Sequence, residues 1–263
     1  MSVKLELAGL DRYDKITTIA NMNPVYCMEY DSIMEVVEKI IKTNHRRMPI
    51  LSRRKDIKGI LTISDILDAF LRKDDFKDKI STIMIRDIVF CLESDTIEFV
   101  LQKFKLSRRG GFPVLRGNKL IGMVSERDFV KHFAGVDFNA KVRDVMTPKP
   151  FFISPDISIL DCLKTIVNTH YRRLPVVDDE KIIGIVTSAD MLSYIKQHKY
   201  DFEALDEPLE PIIKREVFTV SGDEDVSEAI RLMKEKDVGG LVVSKEDVLE
   251  GIITERDVLE EIV

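Results

Sequence analysis

Cysteine is scarce in this chain. Cys27, Cys91 and Cys162 are the only three in 263 residues, and none falls in a C-x-x-C spacing, so neither a disulfide framework nor a zinc site is indicated. No apolar run approaches the roughly 20 residues that span a bilayer. The opening stretch, MSVKLELAGLDRYDK, lacks the apolar centre of a secretion signal. A cytoplasmic protein with no membrane partner is expected. Positive charge is not in excess, and a net charge of −6 counts against broad electrostatic binding of nucleic acid. With 12 glycines and 9 prolines the composition is not low-complexity. No G-x-G-x-x-G, Walker loop, nucleophile elbow or metal-ligand spacing is found. No nucleophile or acid–base pair stands out, so neither catalysis nor a bound metal is expected.

What the chain has is repetition. Gly-x-x-[Ser/Thr]-x-x-Asp occurs four times: GILTISD (59–65), GMVSERD (122–128), GIVTSAD (184–190) and GIITERD (251–257). Upstream of each lies a segment with apolar residues at i, i+3, i+4 and i+7. These are Ile33, Val36, Val37, Ile40; Ile97, Val100, Leu101, Phe104; Ile159, Cys162, Leu163, Ile166; and Val226, Ala229, Ile230, Met233. That period is helical, with one buried face. Two short apolar runs follow each helix, such as MPIL and IKGILTI, and read as paired strands. The motif's Ser or Thr then opens a second helix. Each repeat is strand–helix–strand–strand–helix, too small to bury its own sheet, so repeats should pair. The fold class is α/β.

The repeats alternate. The first and third carry Arg46-Arg47 and Arg172-Arg173 ahead of Pro49 and Pro175; at the same offsets the second and fourth carry Gly110-Gly111 and Gly239-Gly240. Only the second and fourth have Glu-Arg-Asp within the motif. The duplicated unit is therefore expected to be a pair, giving domains 1–135 and 136–263, with repeats at about 16–72, 80–133, 142–196 and 210–263. Polar connectors such as QHKYDFEALDEPLEP (197–211) separate the repeats.

Four such units in register resemble cystathionine β-synthase (CBS) domains, and two pairs resemble tandem Bateman modules. The arrangement is similar to the γ regulatory subunits of AMP-activated protein kinase and to stand-alone archaeal four-CBS proteins. The resemblance implies a flat disc, monomeric or dimeric, holding AMP, ADP or ATP in clefts between paired repeats. It also implies a regulatory role through a protein effector. It further implies that Asp65, Asp128, Asp190 and Asp257 accept from ribose hydroxyls, with Thr62, Ser125, Thr187 and Thr254 near ribose or phosphate. The alternatives are an S-adenosylmethionine-type ligand on the same fold, or a constitutive protein–protein scaffold.

The residues themselves leave choices open. Thr-x-x-Asp at a helix start is close to a capping box, in which the acid serves only the helix. Paired arginines match phosphate oxygens bidentately, though a solvated charge run is the plainer reading. The γ-subunit slots tend to hold His-Arg, whereas this sequence has Arg-Arg twice and Gly-Gly twice. Phosphate-binding charge is thus concentrated at Arg46, Arg47, Arg172 and Arg173. His45 and His170 lie nearby at unequal offsets, and Arg127 and Arg256 either reach phosphate or pair with a carboxylate. Cys27 and Cys91 share a repeat position with Ile153 and Val220 and are expected as buried strand residues.

Overall fold

A computed structural model describes residues 2–262. A short helix, α1 (Ser2–Leu7), precedes the first repeat, which runs β1 (Cys27–Met28), α2 (Ile33–Thr43), β2 (Arg47–Leu51), β3 (Ile57–Thr62), α3 (Ile63–Leu71). The second is β4 (Cys91–Leu92), α4 (Ile97–Ser107), β5 (Gly111–Arg116), β6 (Lys119–Ser125), α5 (Glu126–Val130). After α6 (Val142–Val145) and β7 (Thr147–Pro148) comes the third: α7 (Ile159–Thr169), β8 (Arg173–Asp178), β9 (Lys181–Thr187), α8 (Ser188–Gln197). Its first strand is reduced to a single bridge, Ile153 to Val176. The fourth is β10 (Thr219–Val220), α9 (Val226–Glu235), β11 (Gly240–Lys245), β12 (Val248–Thr254), α10 (Glu255–Ile262). Among the described residues no helix is long and apolar enough to cross a membrane.

Local chemistry explains the repeat. The first helix of each repeat starts at a capping side chain: Ser32, Thr96, Ser158 and Asp225 each accept from a backbone N–H of the first turn. Three of these helices end on a residue in the left-handed region, Asn44, Arg108 or His170. All sixteen residues of the four helical apolar patterns are buried. Each strand pair is antiparallel with a register shift at the same place: Ile50/Leu51, Val114/Leu115, Val176/Val177 and Val243/Ser244. Cys27 and Cys91 are buried strand residues, each parallel-paired to the next strand, at Ile50 and Val114. Burial pushes their thiols up, to about 11 and about 12.

The two compact units divide the chain differently from the contiguous halves 1–135 and 136–263. One unit comprises residues up to Pro24, Val89–Pro150 and the chain from Val217 on; it holds the second and fourth repeats. Its core joins Phe104, Phe112, Phe129 and Phe133 to Ile230, Met233, Val258 and Leu259. The other comprises Val25–Ile88 and Phe151–Glu216, the first and third repeats. There Ile66, Leu67 and Phe70 share a core with Leu163, Ile166, Met191 and Leu192. Each fully buried side chain of this size contributes about 1.5–3 kcal/mol.

Connectors complete these units rather than merely spacing the repeats. In the first unit, Asn21 pairs with Met123, and β7 lies antiparallel to β12. In the second, Ile85 pairs with Ile60 and Lys214 with Ile185. The stretch 197–211, expected as a polar spacer, buries Leu205 and Leu209, and the Tyr194 hydroxyl donates to Ala204 O at 3.0 Å. Its apolar residues are interspersed with acids, which masks the packing role in the sequence.

Candidate functional site

The four motifs build one geometry four times. The second hairpin strand ends at Thr62, Ser125, Thr187 or Thr254, and the next helix begins at once. The motif glycine has a packing reason. A Cβ on Gly59 would sit 2.9 Å from Ile85 O, and one on Gly184 would sit 2.9 Å from Lys214 O. Glycine is what lets the connector backbone pair there.

Three residues after each hydroxyl, the aspartate folds back. Asp65 Oδ2 accepts from Thr62 N at 2.7 Å and from Thr62 Oγ1 at 2.7 Å. Asp128 Oδ2 does the same with Ser125 at 2.8 and 2.7 Å, and Asp190 Oδ2 with Thr187 at 2.9 and 2.6 Å. Asp257 Oδ2 takes Thr254 at 2.7 and 2.6 Å. The cap therefore uses one carboxylate oxygen. The other, Oδ1, differs among the repeats. In Asp190 it meets Lys214 Nζ at 2.5 Å, and in Asp257 it accepts from Thr147 Oγ1 at 3.2 Å. Among the described residues no such bond reaches Oδ1 of Asp65 or Asp128. Burial raises the Asp128 carboxyl above its ordinary value, against the Ser125 bonds and Lys131 that lower it, while Glu255 adds to the rise.

The arginine pairs stand beside these caps. In the antiparallel registers Arg47 faces Thr62 and Arg173 faces Thr187, where Gly111 faces Ser125 and Gly240 faces Thr254. The carbonyl of Arg46 accepts from Ile63 N, and that of Arg172 from Ser188 N. All four arginines are half-buried, unlike a fully solvated charge run.

Arg127 and Arg256 pair with carboxylates. Arg127 Nε donates to Glu255 Oε1 at 2.6 Å, and Arg256 Nε to Glu126 Oε1 at 2.9 Å, a reciprocal exchange between α5 and α10. Glu126 and Glu255 are only 3% and 4% exposed. Carboxylate pairing, one of the two roles open for these arginines, is present in the structure. The histidines part company as well. His45 Nδ1 lies 2.8 Å from Thr43 O, while His170 caps α7 in the left-handed conformation, the position Asn44 holds in the first repeat. Their unequal offsets reflect non-equivalent places. Sequence reasoning passed over Lys214, Thr147, Glu126 and Glu255, because their partners lie far away along the chain.

The CBS domain family model matches residues 16–72, 80–135, 142–197 and 209–263. This chain belongs to the CBS domain family. An uncharacterized 33.4 kDa protein in the ribosomal RNA operon of Thermofilum pendens is 29% identical over 252 residues, 86% of this chain and 84% of that one. Protein MJ1225 of Methanocaldococcus jannaschii is 26% identical over 256 residues, 87% of this chain and 91% of its own length. The crystal structure of MJ1225, described as a candidate archaeal homologue of g-AMPK, superposes with a TM-score of 0.87 at 24% identity, covering 95% of this chain and all of that one. A conserved protein from Pyrococcus horikoshii superposes at 0.65 with 20% identity over 95% of this chain. These two likenesses establish the fold of the four CBS repeats.

Proposed function

We propose that this four-CBS protein binds adenine nucleotides and regulates a protein effector, without catalysis of its own. The observation that carries the reading is the divided use of the motif aspartates. One oxygen caps the helix, and at Asp65 and Asp128 no hydrogen bond from the described residues reaches the other, so it can accept a hydroxyl. The cap and the ligand contact are thus compatible rather than rival roles. Asp65, Asp128, Asp190 and Asp257 are the proposed ribose acceptors, with Thr62, Ser125, Thr187 and Thr254 beside them. Arg46, Arg47, Arg172 and Arg173 are the proposed phosphate contacts, since a guanidinium matches phosphate geometry. Arginine beside the cap favours AMP, ADP or ATP over the sulfonium of S-adenosylmethionine. Regulation requires that nucleotide affinity differ between two states of the protein or its complex. In this reading 1–135 and 136–263 are the units of sequence duplication, each contributing one repeat to each compact unit.

The test is a thermal-shift series on ligand-stripped protein with adenosine, AMP, ATP and S-adenosylmethionine. AMP or ATP at 100 times its Kd should add about 2.7 kcal/mol of stability, adenosine less. The Arg46→Ala/Arg47→Ala variant should lose most of the difference between AMP and adenosine. Equal shifts for both ligands, unaltered in the variant, would remove the phosphate role and leave a scaffold as the better reading.

A further inference from the structure

The four sites share a register position that distinguishes them. Opposite the residue after each motif glycine stands a connector residue: Asn21 facing Met123, Ile85 facing Ile60, Thr147 facing Ile252 and Lys214 facing Ile185. Lys214 is anchored there by two backbone bonds, Ile185 N to Lys214 O at 2.9 Å and Lys214 N to Ile185 O at 3.0 Å. With its backbone held, its side chain places Nζ 2.5 Å from Asp190 Oδ1, while Oδ2 of the same carboxylate caps α8. Both oxygens of Asp190 are therefore used by the protein itself. The side chain of Asp190 is only 10% exposed, whereas that of Lys214 is 64% exposed, so the carboxylate is shielded and its cation reaches in from solvent. Ile85, in the same position, has no group to offer Asp65. Asn21 accepts from Asn23 N through its side-chain oxygen, and among the described residues no bond runs from its amide nitrogen, the group that could donate, to Asp128.

We infer that Lys214 is a specificity-determining residue that competes with ligand hydroxyls for Asp190, so that the third repeat takes a nucleoside more weakly than the first and second. A vicinal diol needs the acceptor that the ammonium holds, and displacing the ammonium costs the ion pair. Thr147 at Asp257 is the milder version, because a neutral hydroxyl exchanges for another at little cost. The inference rests on the nucleotide reading above, and adenosine separates the two because it has no phosphate to attract Lys214.

Calorimetric titration of wild type, Lys214→Met, Lys214→Arg and the double variant Lys214→Met/Asp190→Asn with adenosine tests it. An ion pair with one exposed partner shifts a competing equilibrium by up to about fivefold. Lys214→Met should tighten the weakest binding event by about that factor, or reveal an extra equivalent. Lys214→Arg should behave as wild type, and the double variant should lose the gain. If wild type binds adenosine and Lys214→Met matches it, this inference falls and the nucleotide reading stands. Weaker binding by Lys214→Met would make Lys214 a ligand contact and overturn competition. If neither protein binds adenosine or AMP, both fall together.

Discussion

Asp128 shows what burial costs a carboxylate even with a lysine, Lys131, near it. Its folded pKa is raised, chiefly by burial, so the protonated form is the one the fold prefers. The stabilising contribution of that form is present below the unfolded carboxyl value and is lost as pH rises through the folded one. Asp128→Asn keeps an acceptor for the Ser125 cap and removes the titration. The variant should melt higher than wild type at pH 7, with the difference shrinking toward pH 4. Melting curves across that range check this; a constant difference would mean that Asp128 titrates as an ordinary exposed acid. The capping geometry was legible in Thr-x-x-Asp itself, because i to i+3 contacts at a helix start are local. Which Oδ1 is engaged was not, since Lys214 and Thr147 arrive from connectors.

At the scale of elements, α5 and α10 are locked by the exchanged pairs Arg127–Glu255 and Arg256–Glu126. Both glutamates are almost fully buried, and a buried carboxylate deprived of its cation is costly, about 3–5 kcal/mol. Arg127→Ala should accordingly lower stability by about that much. Arg127→Met together with Glu255→Met, which replaces the pair by apolar side chains, should recover most of it. Chemical denaturation of the single and double variants reads both values, and additive losses would argue that the pair is not coupled. The Glu-Arg-Asp recurrence was visible in the sequence, and so was the choice between phosphate and carboxylate for its arginine. Only the packing of α5 against α10 brings the glutamates to them, because the partners lie 128 and 130 residues apart.

At the scale of the whole molecule, each compact unit draws on segments that are not contiguous in the chain. Cutting after residue 135 separates Ile66, Leu67 and Phe70 from Leu163, Met191 and Leu192, and Phe129 and Phe133 from Ile230 and Leu259. Exposed faces of that size promote association. The fragment 1–135 should therefore be a dimer or larger in light scattering after gel filtration, pairing with itself where the full chain pairs its own repeats. A monomeric fragment with an intact melting transition would show that the contiguous half is self-sufficient.

The sequence by itself determined the unit of construction: four strand–helix–strand–strand–helix repeats, their buried helical faces, the capped motif turns and the buried cysteine positions. All of these follow from periodicities and contacts spanning a few residues, which side-chain order specifies directly. Tertiary structure alone decided which repeats share a core and that residues 197–211 pack. It also decided that Arg127 and Arg256 answer glutamates, and that Asp190 meets Lys214. Each of those depends on where distant segments come to rest, and the pairing energy is spread over many apolar contacts that no single residue announces.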